Sequence, residues 1–171
     1  DSDFTDYVIK EYRVDDIIRP AVRRLAPQFI MKKLALEYEH TDEVALTDEK
    51  WLSFVVEQVL SNAVKYTERG RITIYAEGNR ALVIQDTGIG IAPEDLPRVC
   101  EKGFTGYNGR TDKKASGIGL YLTNKILKNL ICSRSGHRGH VAASHERFFF
   151  NVTSAEVEII KIPSIILPMS V

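Results

Sequence analysis

The chain has 171 residues, of which 44% are apolar and 27% charged, and its formal net charge is zero. This length fits one globular domain with an adequate core. The neutral balance, without a long basic run, argues against a nucleic-acid or anionic-membrane partner.

Cysteine spacing and hydropathy narrow the class of protein further. Cys100 and Cys132 have no metal-like spacing, which is typical of reduced thiols in the cytosol. No stretch approaches the roughly 20 apolar residues that span a bilayer. We therefore expect residues 1–171 to form a single domain, either soluble by itself or the soluble part of a longer protein.

The N-terminal part of the chain predicts two strands and a helix between them. Residues 8–13 are typical of a strand, and Asp15 is then expected to cap a helix of about 15 residues. Pro20 and Pro27 should bend or shorten that helix. Alternation over 34–38 predicts the next strand.

The middle of the chain predicts a long helix followed by a hairpin. Thr47 is expected to begin the helix, which should run to about Tyr66 with one apolar face. Residues 72–76 alternate and residues 81–85 form an apolar run, which predicts two paired strands.

The regular helix and strand patterns of the sequence stop after residue 86 and resume later for short stretches. The segment 103–119 holds five glycines in its 17 residues, which suits a mobile loop. Helical periodicity resumes over 120–130, and weak strand patterns follow at 148–152 and 157–162. The alternation predicts one layer of sheet covered by one layer of helices.

The long helix carries a polar stripe formed by Gln58, Asn62, Lys65 and Tyr66. A solvated helix face explains any one of these residues by itself. However, asparagine is a poor helix former, and Asn62 lies in the middle of the helix, where it has no capping role. Its carboxamide oxygen suits Mg²⁺, and a lysine one turn later suits a phosphate.

Asp86 follows the apolar run and precedes two glycines. Its carboxylate at a strand end could accept a hydrogen bond from the amine of adenine. Gly88 and Gly90 would let the backbone approach the purine ring. A common Asp-Thr-Gly turn explains the same residues equally well.

A second pair of glycines lies immediately before the last predicted helix. Gly117 and Gly119 leave the first amides of that helix unobstructed, which favours phosphate binding. Lys113 and Lys114 would add positive charge if the glycine-rich loop folds over the phosphates, although a solvated loop explains either lysine alone. Taken in order, these features supply the parts of an ATP site.

Four segments together resemble the sequence boxes of bacterial sensor histidine kinases. "EQVLSNAVKYT", "DTGIGI", "EKGFTG" and "SGIGL" are similar to the N, G1, F and G2 boxes of their ATP-binding catalytic domain. The resemblance covers residues 1–130 and implies an α/β (α+β) two-layer sandwich, the Bergerat-type ATP-binding fold, with a mixed sheet covered on one face by helices. Residues 131–171 show no clear version of the family's closing hairpin.

The resemblance implies a role for each matched residue. Asn62 would hold Mg²⁺, Lys65 would contact phosphate, Tyr66 would lie against adenine and Asp86 would bind its amine. Phe104 would anchor the lid over the nucleotide. The remaining implied nucleotide contacts are Gly88, Gly90, Ile91, Lys113, Lys114, Gly117, Gly119 and Leu120.

Catalysis would then consist of phosphoryl transfer rather than hydrolysis. Gln58 stands where the superfamily's ATPases have a glutamate that activates water, so fast hydrolysis is disfavoured. Glu57 should point about 100° away on the helix, although it could still polarise an attacking group. We place both residues, with Asn62 and Lys65, in the expected catalytic set.

None of the four histidines has a convincing phosphoacceptor setting. His145 is followed by an acid, as in the family, but it lies in a segment without helical periodicity. We therefore expect a fragment of a longer kinase, with a dimerisation domain supplying the histidine and a response regulator as a further partner. The fragment would be cytoplasmic, would not touch the membrane itself and would belong to a membrane-anchored protein.

Other functions remain open from sequence. A conformational ATPase of the gyrase or chaperone kind predicts a carboxylate at position 58. A nucleotide-binding or partner-binding module without catalysis would fit the divergent tail. A protein-serine kinase of the anti-sigma type is disfavoured by the long lid.

Overall fold

The computed structural model of the chain describes residues 7–77, 81–106, 116–137, 158–163 and 166–167. In these residues, helices and strands alternate irregularly, as expected. The elements are β1 (Lys10–Arg13), α1 (Val14–Lys32), β2 (Ala35–Tyr38), β3 (Val44–Thr47), α2 (Glu49–Tyr66), β4 (Arg71–Glu77), β5 (Ala81–Asp86), a 3₁₀ turn (Leu96–Arg98), α3 (Gly119–His137), β6 (Glu158–Pro163) and β7 (Ile166–Leu167). None of the helices in this part of the chain is both long enough and apolar enough to span a bilayer.

The larger sheet is mixed, as the resemblance implies. Its strand order is β2-β4-β5-β6; β2 is parallel to β4, whereas β5 is antiparallel to both of its neighbours. A second set of strands, ordered β1-β3-β7, is antiparallel throughout.

One face of the β4–β5 pair packs against the helices. Ile72 pairs with Asp86 and Ile74 with Ile84, so these four side chains share a face. The three isoleucines are almost completely buried and belong to the same core as the apolar faces of the helices. The helix residues at the centre of this core include Ile17, Ile18, Leu52, Val55, Leu60, Ile126 and Leu127. Asp86 is therefore the last residue of β5 that points toward the helix layer.

The first two helices run in the same direction, so their C-terminal ends lie together. Arg24 of α1 binds Glu57 of α2 at 2.8 Å, and Lys32, eight residues later, reaches the carbonyl of Val64 at 2.6 Å. Their shared end adjoins the end of β5, where Asp86 lies.

The prediction for α1 was wrong about its beginning and its length. The helix has 19 residues, begins after Arg13 and contains both prolines. Pro20 and Pro27 are seven residues apart, so both lie on the exposed side, and the buried face continues past them. Asp15 does not cap the helix; it is buried and accepts hydrogen bonds from the Tyr38 hydroxyl (2.6 Å) and the Thr41 amide (3.1 Å).

Thr47 does not begin the second helix. It is the last residue of β3, a strand that the sequence patterns did not predict, and Asp48 is the N-cap of α2. The predicted end of α2 at Tyr66, the β4–β5 pair and a strand near 157–162 are confirmed. The predicted strand at 148–152 lies outside the described residues.

We expect Asp48 to contribute to stability through its cap. Its carboxylate accepts from the amides of Trp51 (3.1 Å) and Val8 (2.8 Å), and its side chain is buried. Asp48→Ala should lower the free energy of unfolding by about 1–2 kcal/mol, measured by urea denaturation. Asp42→Ala is the control, because Asp42 is exposed and forms a surface ion pair with Arg13. Equal losses in both variants would contradict a specific role for the cap.

Candidate functional site

The carboxylate of Asp86 lies buried where β5 meets the end of α2. Its exposed fraction is 3%. Oδ1 accepts hydrogen bonds from the Gly88 amide at 2.8 Å and from the Thr67 hydroxyl at 3.3 Å. Thr67 is the C-cap residue of α2 and is fully buried. The carboxylate therefore ties the helix layer to the end of the sheet.

The two oxygens of this carboxylate differ in their partners. Both hydrogen bonds end on Oδ1, and no donor from the described parts of the chain reaches Oδ2. A carboxylate can accept several hydrogen bonds. Oδ2 is thus the oxygen that a bound donor, such as an amine, would use.

Burial also disfavours the ionised form of this side chain. Desolvation raises the pKa of Asp86 above its ordinary value, although the hydrogen bonds from Gly88 and Thr67 act in the opposite direction. The fold therefore carries a buried charge whose stabilisation is incomplete. A ligand that donates a further hydrogen bond would favour the ionised form.

The loop after Asp86 is pressed against the end of α2. A Cβ at Gly88 would lie 2.6 Å from the Tyr66 carbonyl oxygen, a distance that no side chain tolerates. The amide of Ile89 donates to that same carbonyl at 3.2 Å. Gly90 has φ +67°, the left-handed region that glycine favours. The close approach that Gly88 permits in the structure is thus to the end of α2, and Ile91 follows half-buried.

The second pair of glycines lies against two other predicted boxes. A Cβ at Gly117 would lie 2.6 Å from the Phe104 carbonyl oxygen, and the Gly103 amide donates to the Gly117 carbonyl at 3.0 Å. A Cβ at Gly119 would lie 2.7 Å from Oε1 of Gln58. The beginning of α3 therefore faces the polar stripe of α2, with Leu120 half-buried behind it.

Phe104 is held by a contact that sequence reasoning missed. The Arg98 guanidinium lies 4.6 Å from the centre of the Phe104 ring, and its Nε donates to Glu101 at 3.1 Å. A guanidinium at this distance attracts the ring face. Arg98 therefore links Phe104 to Glu101. Lys113 and Lys114, expected in the lid itself, lie outside the described residues.

The predicted catalytic residues on α2 do not all face the same way. Asn62 and Lys65 are half-buried near the end of the helix, and Lys65 Nζ lies 5.0 Å from the ring centre of Tyr66. The Glu57 carboxylate instead binds Arg24 of α1. This contact directs Glu57 away from Gln58 and gives no support to its expected role.

Sequence reasoning also missed Thr67 and Lys32. Thr67 stands at the end of the quoted "EQVLSNAVKYT" segment, so its place beside the helix end was available from the sequence, but its bond to Asp86 was not. No sequence pattern indicated a role for Lys32, because nothing distinguishes it from the other lysines and arginines, which number 23 in all. In the described segments, no group of three or more His, Cys, Asp or Glu side chains could hold a metal ion.

Comparison with known protein families gives one match, and it covers the candidate site. Residues 47–159 match the model of the histidine kinase-, DNA gyrase B- and HSP90-like ATPases. The matched range includes α2, β5 and the beginning of α3, and thus all four boxes.

Curated relatives are bacterial sensor proteins. The chain is 37% identical to the sensor protein BceS of Halalkalibacterium halodurans over 131 residues, which cover 74% of this chain and 39% of that protein. It is 42% identical over 92 residues to the sensor protein kinase GraS of Staphylococcus aureus, covering 52% of this chain and 27% of that protein. The chain thus spans at most about two fifths of the length of these relatives.

Solved structures of low sequence identity share the fold. The mycobacterial sensor histidine kinase MprB superposes with a TM-score of 0.64 at 20% identity, covering 94% of this chain and 100% of that one. The catalytic domain of histidine kinase ThkA gives 0.66 at 16% identity, covering 91% and 95%. The expected Bergerat fold is confirmed by this likeness.

We expect the burial of Asp86 to lower the stability of the ligand-free protein. Because the folded state raises the pKa of this acid, the folded protein holds the proton more tightly than the unfolded chain does. The free energy of unfolding therefore falls as the pH rises from the pKa of the acid in the unfolded chain, about 3.9, through its raised pKa in the folded protein. Asp86→Asn keeps an acceptor oxygen without the charge.

The variant Asp86→Asn should accordingly be more stable than the wild type at pH 7, with a smaller advantage near pH 4, by urea denaturation without nucleotide. Asp42→Asn serves as the control, since the Asp42 side chain is exposed. A loss of stability at pH 7 in Asp86→Asn alone would contradict the prediction that the buried Asp86 carboxylate destabilises the ligand-free protein.

Proposed function

The chain belongs to the histidine kinase-, DNA gyrase B- and HSP90-like ATPase family, as the ATP-binding catalytic domain of a sensor histidine kinase, and we propose that it transfers the γ-phosphoryl group of Mg²⁺-ATP to a histidine on a dimerisation domain of the same kinase. The observation that supports this most strongly is the buried Asp86 carboxylate, which has one oxygen held by the protein and the other without a donor from the described residues.

Adenine recognition would use the end of β5. The exocyclic amine of adenine would donate to Oδ2 of Asp86, and this bond would be strong because the carboxylate is charged and shielded from water. Guanine has a carbonyl at the same ring position. Its oxygen is a hydrogen-bond acceptor and could not donate to the carboxylate, which is also an acceptor. Gly88, Gly90 and Ile91 would form the backbone surface beneath the ring, with Tyr66 alongside.

Phosphate binding would use the region between α2 and α3. A Cβ at Gly119 would lie 2.7 Å from Oε1 of Gln58, so the two residues adjoin, and the first amides of α3 lie at that point. The carboxamide of Asn62, one turn after Gln58, is a suitable oxygen ligand for Mg²⁺, and Lys65 carries a positive charge toward the same end of the helix. When bound, magnesium supplies neutralisation of the phosphate charge. Asn62 would therefore be the side chain that holds Mg²⁺ in this site.

The absence of a carboxylate at position 58 supports transfer over hydrolysis. An amide at Gln58 cannot remove a proton from water, and Glu57 is engaged by Arg24. The chain would thus hold the γ-phosphoryl group until an external histidine attacks it. Such a histidine would lie on the parent kinase, and a response regulator would receive the phosphoryl group afterwards.

Nucleotide binding tests the adenine assignment. Calorimetry with a non-hydrolysable ATP analogue and Mg²⁺ should give clear binding by the wild type and at least about tenfold weaker binding by Asp86→Asn, since one charge-assisted hydrogen bond is lost. Asp42→Asn is the control, because the Asp42 side chain is exposed. Unchanged affinity in Asp86→Asn would show that adenine is not bound there.

Turnover separates a kinase from a conformational ATPase. The 171-residue chain should hydrolyse ATP well below about 1 s⁻¹, and should phosphorylate the separately produced dimerisation domain of its parent kinase when the two are mixed. Asn62→Ala should abolish transfer, because the metal loses its side-chain ligand. Fast hydrolysis by the wild type, with no labelled dimerisation domain, would favour the ATPase instead.

A further inference from the structure

Lys32, the last residue of α1, binds three main-chain carbonyl groups of the neighbouring helix. Its Nζ donates to the carbonyl oxygens of Val64 (2.6 Å), Lys65 (2.9 Å) and Thr67 (3.1 Å). An ammonium group has three donors, so all of them are used. The side chain thus acts as a cap supplied by one helix to the end of another.

This place on α2 is where a cation is most effective. The last carbonyls of a helix lack partners within the helix and form the negative end of its dipole. Because α1 and α2 run in the same direction, the negative ends of both helices meet at Lys32. One positive charge therefore stabilises two helix ends.

The carbonyls that Lys32 binds lie next to the groups that would form the purine site. Tyr66, between Lys65 and Thr67, accepts from the Ile89 amide through its carbonyl at 3.2 Å. The Thr67 hydroxyl donates to Asp86 Oδ1 at 3.3 Å. A shift of a few tenths of an ångström at this helix end would move both contacts.

We propose that Lys32 is a positioning residue for purine recognition: it fixes the end of α2 so that Thr67 orients the Asp86 carboxylate toward adenine. This inference rests on the proposed ATP site. Lys32 would act through the helix end and not on the nucleotide, since all three donors of its ammonium are taken by main-chain carbonyls.

A merely structural contact between helices would lower stability without altering which purine binds. A positioning residue changes the discrimination between adenine and guanine nucleotides, because the orientation of the carboxylate decides that preference. The ratio of ATP-analogue to GTP-analogue affinity is therefore the informative readout.

The experiment compares Lys32→Met with Lys33→Met in the 171-residue chain. The two variants make the same chemical change one residue apart, and Lys33 is exposed. Calorimetry with Mg²⁺ and non-hydrolysable ATP and GTP analogues would give both affinities. Circular dichroism would establish the folded fraction and the unfolding midpoint.

We expect Lys32→Met to bind the ATP analogue about tenfold more weakly and to lose most of its preference over the GTP analogue. Lys33→Met should remain within about twofold of the wild type. Lys32→Arg, which keeps the charge and several donors, should recover most of the preference. If Lys32→Met does not fold, Lys32→Gln, which keeps two donors without the charge, should give an intermediate loss.

Two results would overturn the inference in different ways. If the wild type binds and prefers the ATP analogue, and Lys32→Met and Lys32→Gln show the same preference, then Lys32 does not position the site although the proposed function stands. If the wild type binds neither analogue, the proposed function fails and this inference fails with it.

Discussion

The buried carboxylate of Asp86 is the interaction on which the rest of the site depends. Placing an ionised group at 3% exposure is costly unless its oxygens are satisfied. The fold satisfies Oδ1 with Gly88 and Thr67, and it brings no donor from the described residues to Oδ2. A fold selected for stability alone would place an apolar residue at this point of β5, where Ile84 and Ile72 already share the face. The proposed function accounts for this arrangement, because a donor on the ligand would bind Oδ2.

This arrangement requires the helix layer and the sheet to end at the same place. Parallel packing of α1 on α2 brings two helix C-termini beside the end of β5, and Lys32 holds that junction. Gly88 is needed because the loop passes within contact distance of the Tyr66 carbonyl. Gly119 brings the beginning of α3 against Gln58, in the polar stripe of the same helix. The C-terminal end of α2 thus meets the loop after β5, and its polar stripe meets the beginning of α3.

Much of this organisation could be predicted from local patterns. The apolar face of α2, its end at Tyr66 and the alternation of β4 are short-range features, and the four boxes carried the family. Features set by tertiary contacts could not be predicted. The buried residues of β3 are Ala45 and Thr47, so its apolar and polar residues do not alternate in the usual way. Buried packing kept α1 helical through two prolines. Asp15 looked like a cap because its partners, Tyr38 and Thr41, are more than twenty residues away. Lys32 and Arg98 act through main-chain carbonyls and an aromatic ring, neither of which leaves a sequence pattern.

The most direct test of the account is a crystal structure of the chain with Mg²⁺ and a non-hydrolysable ATP analogue. We predict that the exocyclic amine of adenine lies within hydrogen-bond distance of Oδ2 of Asp86, while Oδ1 keeps its bonds to Gly88 and Thr67. The metal should contact the carboxamide oxygen of Asn62. A nucleotide bound elsewhere, or an adenine amine directed away from Asp86, would show that this buried carboxylate does not recognise the purine.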